Sequence, residues 1–262
     1  MLQERNATPH PAEFKARPRI FAEFINSEPE IRSAQKMRYE VFCEEYNVKL
    51  PVNMIWNGHP IDVDELDDHC LHLVVRNQND NTIIGYTRVL TCDLAKRFGS
   101  YYSSHEFDIS SVVDRPGRFL EIGRTCIHPE HRNGATIAVL WAFLAKFMQE
   151  NNYQYLFGCA SVSLKDDGKT LAALTPVIKE KYMADDEYRV IPKVPFNLRK
   201  EWKNEKASFP PLLKAYTRMG ARICGDACWD PDFNVADLFV LLDINNVANR
   251  YARHFLKDRE AA

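Results

Sequence analysis

Residues 118–149 read RFLEIGRTCIHPEHRNGATIAVLWAFLAKFMQ, and they place a strand, a short loop and a helix in direct succession. The first twelve residues are largely apolar and predict a strand over 118–129. Apolar residues then recur at helical spacing from Ile137 to Met148, which predicts a helix over 135–149. A strand that runs almost directly into a helix is typical of an α/β domain.

The loop between this strand and this helix has the composition of an anion site. The first backbone N–H groups of a helix have no partner within the helix, and together with the helix dipole they attract phosphate. Gly134 allows close backbone approach and Arg132 adds a positive charge. An ordinary turn and helix cap explains the same letters. The residues expected to hold a phosphate group are His131, Arg132, Asn133, Gly134, Ala135 and Thr136.

Further elements surround this unit. Strands are predicted at 69–77, 82–90, 153–163 and 235–244, and helices at 28–46, 210–221 and 246–256. Ser27 is a plausible N-cap of the first helix, and Thr175-Pro176 suggests the start of another. Residues 50–69 are predicted to be a long loop. This order predicts an α/β fold in which a mixed, mostly antiparallel sheet carries helices on both faces.

The chain is expected to form a loose N-terminal lead-in over 1–18 and one domain over 19–262, with an insertion at about 164–209. Its 45 % hydrophobic content supports a packed core, and its net charge of −2 gives no reason to expect nucleic acid. The seven cysteines show no C-x-x-C spacing and are read as free thiols in the cytoplasm. No long apolar run is present, so any contact with the cytoplasmic membrane is expected to be peripheral.

Charged residues fall inside otherwise apolar elements, which is unusual because an unpaired buried ion costs several kcal/mol. Arg38 and Phe42 share the first helix, Asp64 and Asp67 precede the first of the predicted strands, and Arg88 lies within the second. Glu121 and Arg124 lie in the strand at 118–129, on opposite faces unless a β-bulge intervenes. A buried ion-pair network that only fixes the fold explains each residue singly. As a set, they favour a site.

The same residues form motifs that resemble those of known families. The loop resembles the acyl-thioester loop of the GNAT superfamily, Arg/Gln-x-x-Gly-x-Gly/Ala, with His first and Thr last. The spacings Arg38-x-x-x-Phe42, Asp64-x-x-Asp67 and Glu121-x-x-Arg124 are similar to those of acyl-homoserine-lactone synthases. The fuller strings are more similar to the L-ornithine N-alpha-acyltransferases, often labelled hemolysin-like. These strings are MRYEVFCEE (37–45), DELDDHCLHLVV (64–75), IIGYTRVL (83–90), YYSSHEFD (101–108), FLEIGRTCIHPEHRNGATIAVLW (119–141), YLFGCAS (155–161), PPLLKAYTRMGARICGDACWDPDFNVADLFVLLDI (210–244) and RYARHF (250–255).

The resemblance implies a GNAT fold and transfer of a 3-hydroxyacyl chain from acyl carrier protein to the α-amine of ornithine, the first step of ornithine-lipid synthesis. The donor is then 4'-phosphopantetheine on acyl carrier protein, with no resident cofactor. The departures in the loop fit such a donor, which has one phosphodiester rather than a pyrophosphate. Residue by residue, the resemblance carries over Arg38, Asp64, Asp67, Arg88, Glu121 and Arg124.

Chemistry suggests roles for these residues. Glu121, directly or through a water, accepts the proton of the ammonium, and a backbone N–H near Thr125 and Cys126 stabilises the oxyanion. Arg88 or Arg124 binds the substrate carboxylate, while Asp64 and Asp67 favour the distal ammonium. We expect the charged residues to converge at a splayed sheet edge beside a tunnel for the acyl chain.

Other interpretations stay open. Cys126 could form a covalent acyl-thiol relay, although a lone cysteine in a strand is usually a small core residue. With His128 and His131 it could also bind zinc, but three adjacent positions make a poor tetrahedron, and no metal is expected. Rival functions are a homoserine-lactone synthase that uses S-adenosylmethionine, acylation of lysine, glycine or tyrosine, and a non-catalytic hemolysin-like factor.

Overall fold

The computed structural model describes residues 20–45, 54–198 and 208–247. The predicted lead-in at 1–18, Tyr46 at the end of the first predicted helix, part of the 164–209 segment and most of the helix at 246–256 lie outside them. The strands are β1 (Ile20–Ile25), β2 (Met54–Trp56), β3 (His59–Ile61), β4 (Leu71–Asn77), β5 (Ile83–Thr91), β6 (Phe107–Asp108), β7 (Phe119–Ile127), β8 (Tyr155–Ser163), β9 (Ile191–Pro192), β10 (Arg222–Ile223), β11 (Cys228–Asp230) and β12 (Val235–Asp243).

The α-helices connect these strands and cover the sheet. They are α1 (Glu28–Tyr39), α2 (Cys92–Phe98), α3 (Ser103–Glu106), α4 (Ser110–Val113), α5 (Ala135–Glu150), α6 (Lys169–Lys181), α7 (Pro211–Met219) and α8 (Ile244–Val247). A π-helical segment, Glu40–Glu45, continues α1 toward the end that the sequence predicted. Gly220 follows α7 in the left-handed conformation (φ 102°), as the sequence predicted for the residue that ends this helix.

One eight-stranded sheet organises the described residues, in the order β1-β4-β5-β7-β8-β12-β10, with β11 also paired to β12. Neighbours are antiparallel except β7 and β8, which run parallel. The predicted mixed, mostly antiparallel sheet is therefore confirmed.

The two faces of the sheet carry different helices, because successive side chains of a strand point to opposite sides. Leu73, Val75 and Ile84 pack in the main core with α5, whereas Val74 and Tyr86 pack with residues of α1. The first side is called the α5 face and the second the α1 face. Helices on both faces are as predicted.

The strands β7 and β8 separate in the middle of the sheet. Both strands have nine residues, yet they pair only from Phe119↔Tyr155 to Glu121↔Phe157. They part at Gly158, where an added Cβ would lie 2.4 Å from the carbonyl oxygen of Ile122. The remainder of each strand diverges, which leaves a wedge between two parallel strands. The predicted splay of the sheet is therefore confirmed, but it lies between two central strands rather than at an edge.

Ser27 is the N-cap residue of α1, as predicted, although its hydroxyl donates to Glu30 instead of accepting from the backbone. Two other local predictions need correction. Thr175-Pro176 lies inside α6, which begins instead after Gly168, where Asp166 accepts from Thr170 N. The predicted loop at 50–69 contains the β2–β3 hairpin and a 3-10 turn at Asp67–His69.

The segment 164–209 was expected to lie over the core as an insertion. Its helix α6 buries Leu171, Leu174 and Ile178 in the main core cluster. This part of the segment is therefore integral to the core, because its apolar side fills space against β8.

Candidate active site

Arg38 of α1 is fully buried on the α1 face, where its guanidinium is ion-paired twice. Its Nε lies 2.8 Å from Asp62 Oδ2, and its Nη1 lies 2.7 Å from Asp67 Oδ1. Burial alone would raise the pKa of Asp67, but Arg38 and Arg88 lower it well below its usual range. The pKa of Asp62 is also lowered, by Arg38 and Arg124 against the effect of burial. Both carboxylates are therefore ionised and bound.

Arg88 and Arg124 extend this network toward the surface. Arg88 Nη1 lies 2.9 Å from Asp67 Oδ1 and also donates to Asp64. Arg124 reaches Asp62 Oδ2 at 3.3 Å and Asp64 Oδ2 at 3.2 Å. Three arginines thus meet three aspartates, and the predicted convergence of Arg38, Asp64, Asp67, Arg88 and Arg124 is found. Side-chain exposure is 12 % for Arg124 and 24 % for Asp64, but only 3 % for Arg88 and for Asp67.

Further polar groups complete the buried part of the network. Gln35 Nε2 donates to Asp67 Oδ2 at 2.9 Å. His72 Nε2 lies 2.9 Å from the Asp67 carbonyl oxygen, so this nitrogen carries the proton, and Nδ1 accepts from the Tyr86 hydroxyl at 2.8 Å. Burial lowers the pKa of His72, which keeps the ring neutral. Asp67 thus has a protein partner at each carboxylate oxygen, which argues against the predicted contact with a substrate ammonium.

A β-bulge brings Arg124 into the network. On β5, Tyr86 pairs with Cys126 and Arg88 pairs with Gly123, so Thr87 alone faces both Arg124 and Thr125. Arg124 has φ 51°, a left-handed conformation that is uncommon outside glycine. This is the bulge without which Glu121 and Arg124 would point to opposite faces of the sheet. The Arg124 guanidinium lies over the rings of Phe233 and Tyr102, with centroid distances of 4.9 and 5.7 Å.

Glu121 lies on the α1 face beside the point where β7 and β8 part. Its Oε2 accepts from Tyr102 N at 2.7 Å, and its Oε1 accepts from both the N–H and the hydroxyl of Ser103. Burial raises the pKa of Glu121. Oε2 keeps one free lone pair, and a cavity of about 10 Å³ adjoins Glu121, Arg88 and Tyr102. That space holds about one water molecule.

The cavity beside Glu121 is small compared with the tunnel expected from the sequence for an acyl chain. A hydrocarbon chain does not fit this cavity, so the cavity is not the predicted acyl tunnel. Leu66, Leu90 and Tyr102 also line the space. A larger cavity, about 250 Å³, is lined by Lys179, Arg189 and Asp226 among others, away from the ion-pair network.

The remaining predicted catalytic and binding residues, Cys126, Thr125 and Phe42, have separate surroundings. Cys126 is buried with Ala34, Met37 and other residues of the α1 face, and burial raises its pKa to about 12. This argues against the thiol relay, because the thiolate is the nucleophile. The hydroxyls of Thr125 and Thr87 are 2.7 Å apart. Phe42 packs edge-on to Phe233, with ring centroids 6.4 Å apart, and so adjoins Arg124.

The predicted phosphate loop opens α5 as expected. Gly134 has φ 85° at the N-cap, and the first-turn N–H of Ala135 is bound by Asn133 Oδ1 at 3.0 Å. The Thr136 hydroxyl donates to the His131 carbonyl oxygen at 3.0 Å. Arg132 is held by Glu45 through two hydrogen bonds of 2.6 Å. Its guanidinium is therefore shared with a carboxylate at the end of the π-helical segment.

Two groups of side chains near the site could hold a cation. In the described part of the chain, His128, Glu130 and His131 form one such group and Glu106, Asp230 and Asp237 form another, each with ligand atoms within 4.8 Å of one another. Cys126 belongs to neither group, so the zinc set considered from the sequence does not assemble. The second group was missed, although Asp237 stands in the apolar string VADLFVLLDI just as Arg88 stands in IIGYTRVL.

Several known proteins are similar to this chain. A family model described as an acetyltransferase (GNAT) domain matches residues 37–142. The L-ornithine N(alpha)-acyltransferase of Agrobacterium fabrum is 31 % identical over 249 residues, covering 87 % of this chain and 82 % of the relative. The L-ornithine N(alpha)-acyltransferase of Brucella abortus is 30 % identical over 244 residues, covering 88 % of this chain and 86 % of the relative.

Solved structures share the fold. The crystal structure of the AHL synthase LasI matches with a TM-score of 0.51 at 11 % identity, covering 87 % of this chain and 91 % of that chain. BjaI, a CoA-dependent acyl-homoserine lactone synthase, also matches with a TM-score of 0.51, at 13 % identity, covering 89 % of this chain and 88 % of that chain. At these identities the likeness concerns the fold alone, and with the family model it confirms the predicted GNAT fold. None of the described helices is long and apolar enough to cross a membrane.

Proposed function

Because the chain belongs to the L-ornithine N-alpha-acyltransferase family of GNAT-fold enzymes, we propose that it transfers a 3-hydroxyacyl chain from acyl carrier protein to the α-amine of ornithine, giving lyso-ornithine lipid. The observation that carries this proposal is the wedge between β7 and β8, bordered on the α1 face by Arg124 and Glu121. A thioester placed in the wedge would be open to an amine from that face.

The donor would enter from the N-terminus of α5. The unpaired N–H groups of this helix and the side chain of Arg132 attract the single phosphate of a phosphopantetheine arm. Arg132 is bound by Glu45, so donor binding would compete with that pair. The Arg132–Glu45 pair is partly exposed and contributes about 1 kcal/mol or less, which a phosphate can replace.

The acceptor carboxylate would bind Arg124. Arg88 is buried and is held by Asp64 and Asp67, whereas Arg124 is partly exposed and its ion pairs are longer, at 3.2 and 3.3 Å. Of the two arginines considered from the sequence, Arg124 is therefore the better partner for a substrate. Phe233 and Tyr102 support its guanidinium and fix its direction.

Glu121 would accept the proton of the α-ammonium through one water in the adjoining cavity. The amine then attacks the thioester carbonyl and a C–N bond forms. The C–S bond breaks, and the second proton lost by the nitrogen passes to the leaving sulfur, so the carrier is released as a thiol. The bulge at Arg124 and Thr125 leaves a backbone group outside the regular ladder, which supports an oxyanion-stabilising role for this turn.

The donor and acceptor are tested together by incubating the purified full chain with L-ornithine and either 3-hydroxyacyl carrier protein or the same acyl group on coenzyme A. We expect an acyl-ornithine by mass spectrometry with the carrier-protein donor. Arg124→Gln should raise the KM for ornithine by about tenfold or more, because a charged hydrogen bond contributes about 1.5–3 kcal/mol. Arg118→Gln is the control, since Arg118 is a partly exposed arginine paired with Asp93. No product with ornithine from either donor would refute the proposal.

A further inference from the structure

Three carboxylates meet on the α1 face beyond the ion-pair network. Glu106 ends α3, Asp230 ends β11 and Asp237 lies within β12, and their oxygens lie within 4.8 Å of one another. Elements distant in the sequence thus bring three like charges together, which is unfavourable unless a proton or a cation accompanies them.

These carboxylates have unused acceptor capacity. Both oxygens of Glu106 are buried, and neither has a hydrogen-bond partner of normal geometry among the described residues. Asp237 is 3 % exposed, and its Oδ1 accepts from the Ser161 hydroxyl at 2.7 Å. Asp230 Oδ1 accepts from two backbone N–H groups of the following turn. The Tyr102 hydroxyl and the Cys159 thiol stabilise the ionised form of Glu106 in part, but neither makes a hydrogen bond of normal geometry, so the buried carboxylate can accept from a further donor.

Charge at this place is not balanced by the protein. Burial raises the pKa of Glu106, and the nearby charge of Asp237 raises it further. Burial also raises the pKa of Asp237, and Arg124 offsets this only in part. Arg124 is already paired with Asp62 and Asp64. When empty, the group therefore keeps a proton, and a bound cation would replace it.

The group lies across the wedge from Arg124, on the same face of the sheet. Asp237 alternates with Ala236 and Leu238 of the main core, so it points to the α1 face, and it pairs with Ser161 of β8 beyond the point where β8 leaves β7. The Tyr102 ring lies beneath Arg124, and its hydroxyl stabilises the ionised form of Glu106, so Tyr102 adjoins both. Arg124 and the three acids thus share one face of the sheet, with Tyr102 between them.

We propose that Glu106, Asp230 and Asp237 bind the side-chain ammonium of the acceptor and so select ornithine over amino acids with an uncharged side chain. The inference rests on the proposed function and replaces the role that the sequence suggested for Asp67. The three residues determine specificity; they take no part in the bond changes at the α-amine.

The test compares L-ornithine with L-norvaline, which has the same carbon skeleton without the δ-amino group. The value of kcat/KM is measured for both acceptors in the wild type, Glu106→Gln and Asp237→Asn, with Asp226→Asn as the control at an exposed carboxylate on another surface. Each site variant should lower kcat/KM for ornithine by about 30-fold or more, since removing one partner of a buried charge pair costs about 2 kcal/mol or more. The value for norvaline should change by less than about threefold, and the control should match the wild type.

The outcomes separate the possible roles. An equal fall for both acceptors would overturn the proposal in favour of a catalytic or purely structural role, with thermal melting of each variant identifying the structural case. An unchanged preference for ornithine in both variants would also overturn it. A preference that disappears with EDTA and returns with Mg²⁺ or Ca²⁺ would assign the acids to a metal ion instead. A wild type that acylates norvaline but not ornithine would refute the proposed function itself.

Discussion

Arg38 shows how a single buried charge fixes the geometry of the site. Its side chain is 0 % exposed, and two aspartates compensate it at 2.7 and 2.8 Å. Because Asp62 and Asp67 come from the irregular segment before β4, Arg38 holds that segment on the sheet. The same two carboxylates orient Arg88 and Arg124, so the network both holds the structure together and supports the proposed acceptor site.

Replacing Arg38 by methionine tests this dependence. Arg38→Met would leave Asp62 and Asp67 buried without their main partner and should lower the free energy of unfolding by about 3–5 kcal/mol. Lys36→Met, on the same helix, removes a partly exposed contact with Glu40 and should cost about 1 kcal/mol or less. Urea denaturation of both variants gives the comparison, and equal losses would contradict the claim that the buried pairs matter most.

Glu121 is the residue proposed to accept the proton, and its substitution has a readout that a structural role would not give. Glu121→Gln should lower kcat by about 10²- to 10⁴-fold. The wild-type rate should rise with pH through the raised pKa of Glu121, since a base acts when deprotonated. The variant should lose that rise. A variant with near-normal kcat, or one that keeps the same pH profile while losing stability, would remove Glu121 from this role.

At the residue scale, the sequence located most of the ion-pair network, because charges inside apolar strings must find partners or face a cleft. The roles of these charged residues could not be predicted as well from the sequence. Asp64 and Asp67 are three residues apart, yet only the structure shows that Asp67 is buried and Asp64 is partly exposed. Glu106 lies in YYSSHEFD, which was noted only for its resemblance, and the meeting of Glu106 with Asp237 depends on strand order.

At the scale of elements, the loop before α5 and the π-helical segment form a pair. The loop supplies Arg132 and the segment supplies Glu45, and the two side chains make a bidentate contact. The pKa of Glu45 is lowered, chiefly by the hydrogen bonds from Arg132, so the carboxylate is charged near neutral pH. A phosphate at the start of α5 would meet this carboxylate as a competitor for the arginine.

Removing the competitor should strengthen donor binding. Glu45→Gln should lower the KM for acyl carrier protein by up to about fivefold, because a partly exposed pair contributes at most about 1 kcal/mol. Glu40→Gln is a matched control in the same segment, where Glu40 lies 3.8 Å from Lys36. Steady-state kinetics with varied donor measures the effect. A KM that rises in Glu45→Gln would indicate that Glu45 orients Arg132 for the donor.

Some helices and strands could be predicted from the sequence much better than others. The helices α5 and α7 follow clear apolar periods and end where polar residues or glycine interrupt them. The helix α6 was misread because Pro176 lies in its interior, a position that proline usually avoids. The strands β10 and β11 have two and three residues and give almost no periodic signal. The parallel pairing of β7 with β8 depends on contacts far apart in the chain.

At the scale of the whole molecule, charge is divided between the two sides of the wedge. The network on β5 and β7 is balanced, with three arginines against three aspartates. The group near β12 has three carboxylates that face Tyr102, Cys159 and the already paired Arg124. The two groups therefore respond to pH in opposite directions.

The protein should be most stable at a pH above the range in which Asp62 and Asp67 become protonated and below the range in which Glu106 ionises. The folded-state pKa values of Asp62 and Asp67 lie below their unfolded value of 3.8, so their contribution is lost as the pH falls below that value. The pKa of Glu106 is raised from 4.5 to about 8, so its contribution is present below pH 4.5 and is lost as the pH rises toward 8 and above. Relative to the wild type, Glu106→Gln should therefore be more stable at pH 9 than at pH 5. Urea denaturation at pH 5, 7 and 9 measures this, and parallel pH dependences in the two proteins would contradict it.

The acyl-transfer activity is tested most directly by a competition among acceptors. Purified full chain is incubated with 3-hydroxyacyl carrier protein and equal concentrations of ornithine, lysine, norvaline, glycine, tyrosine and S-adenosylmethionine, and tandem mass spectrometry identifies the product and the acylated nitrogen. Acyl-ornithine with its amide at the α-nitrogen is the predicted main product. A main product from another acceptor, a homoserine lactone from S-adenosylmethionine, or an amide at the δ-nitrogen would contradict the account.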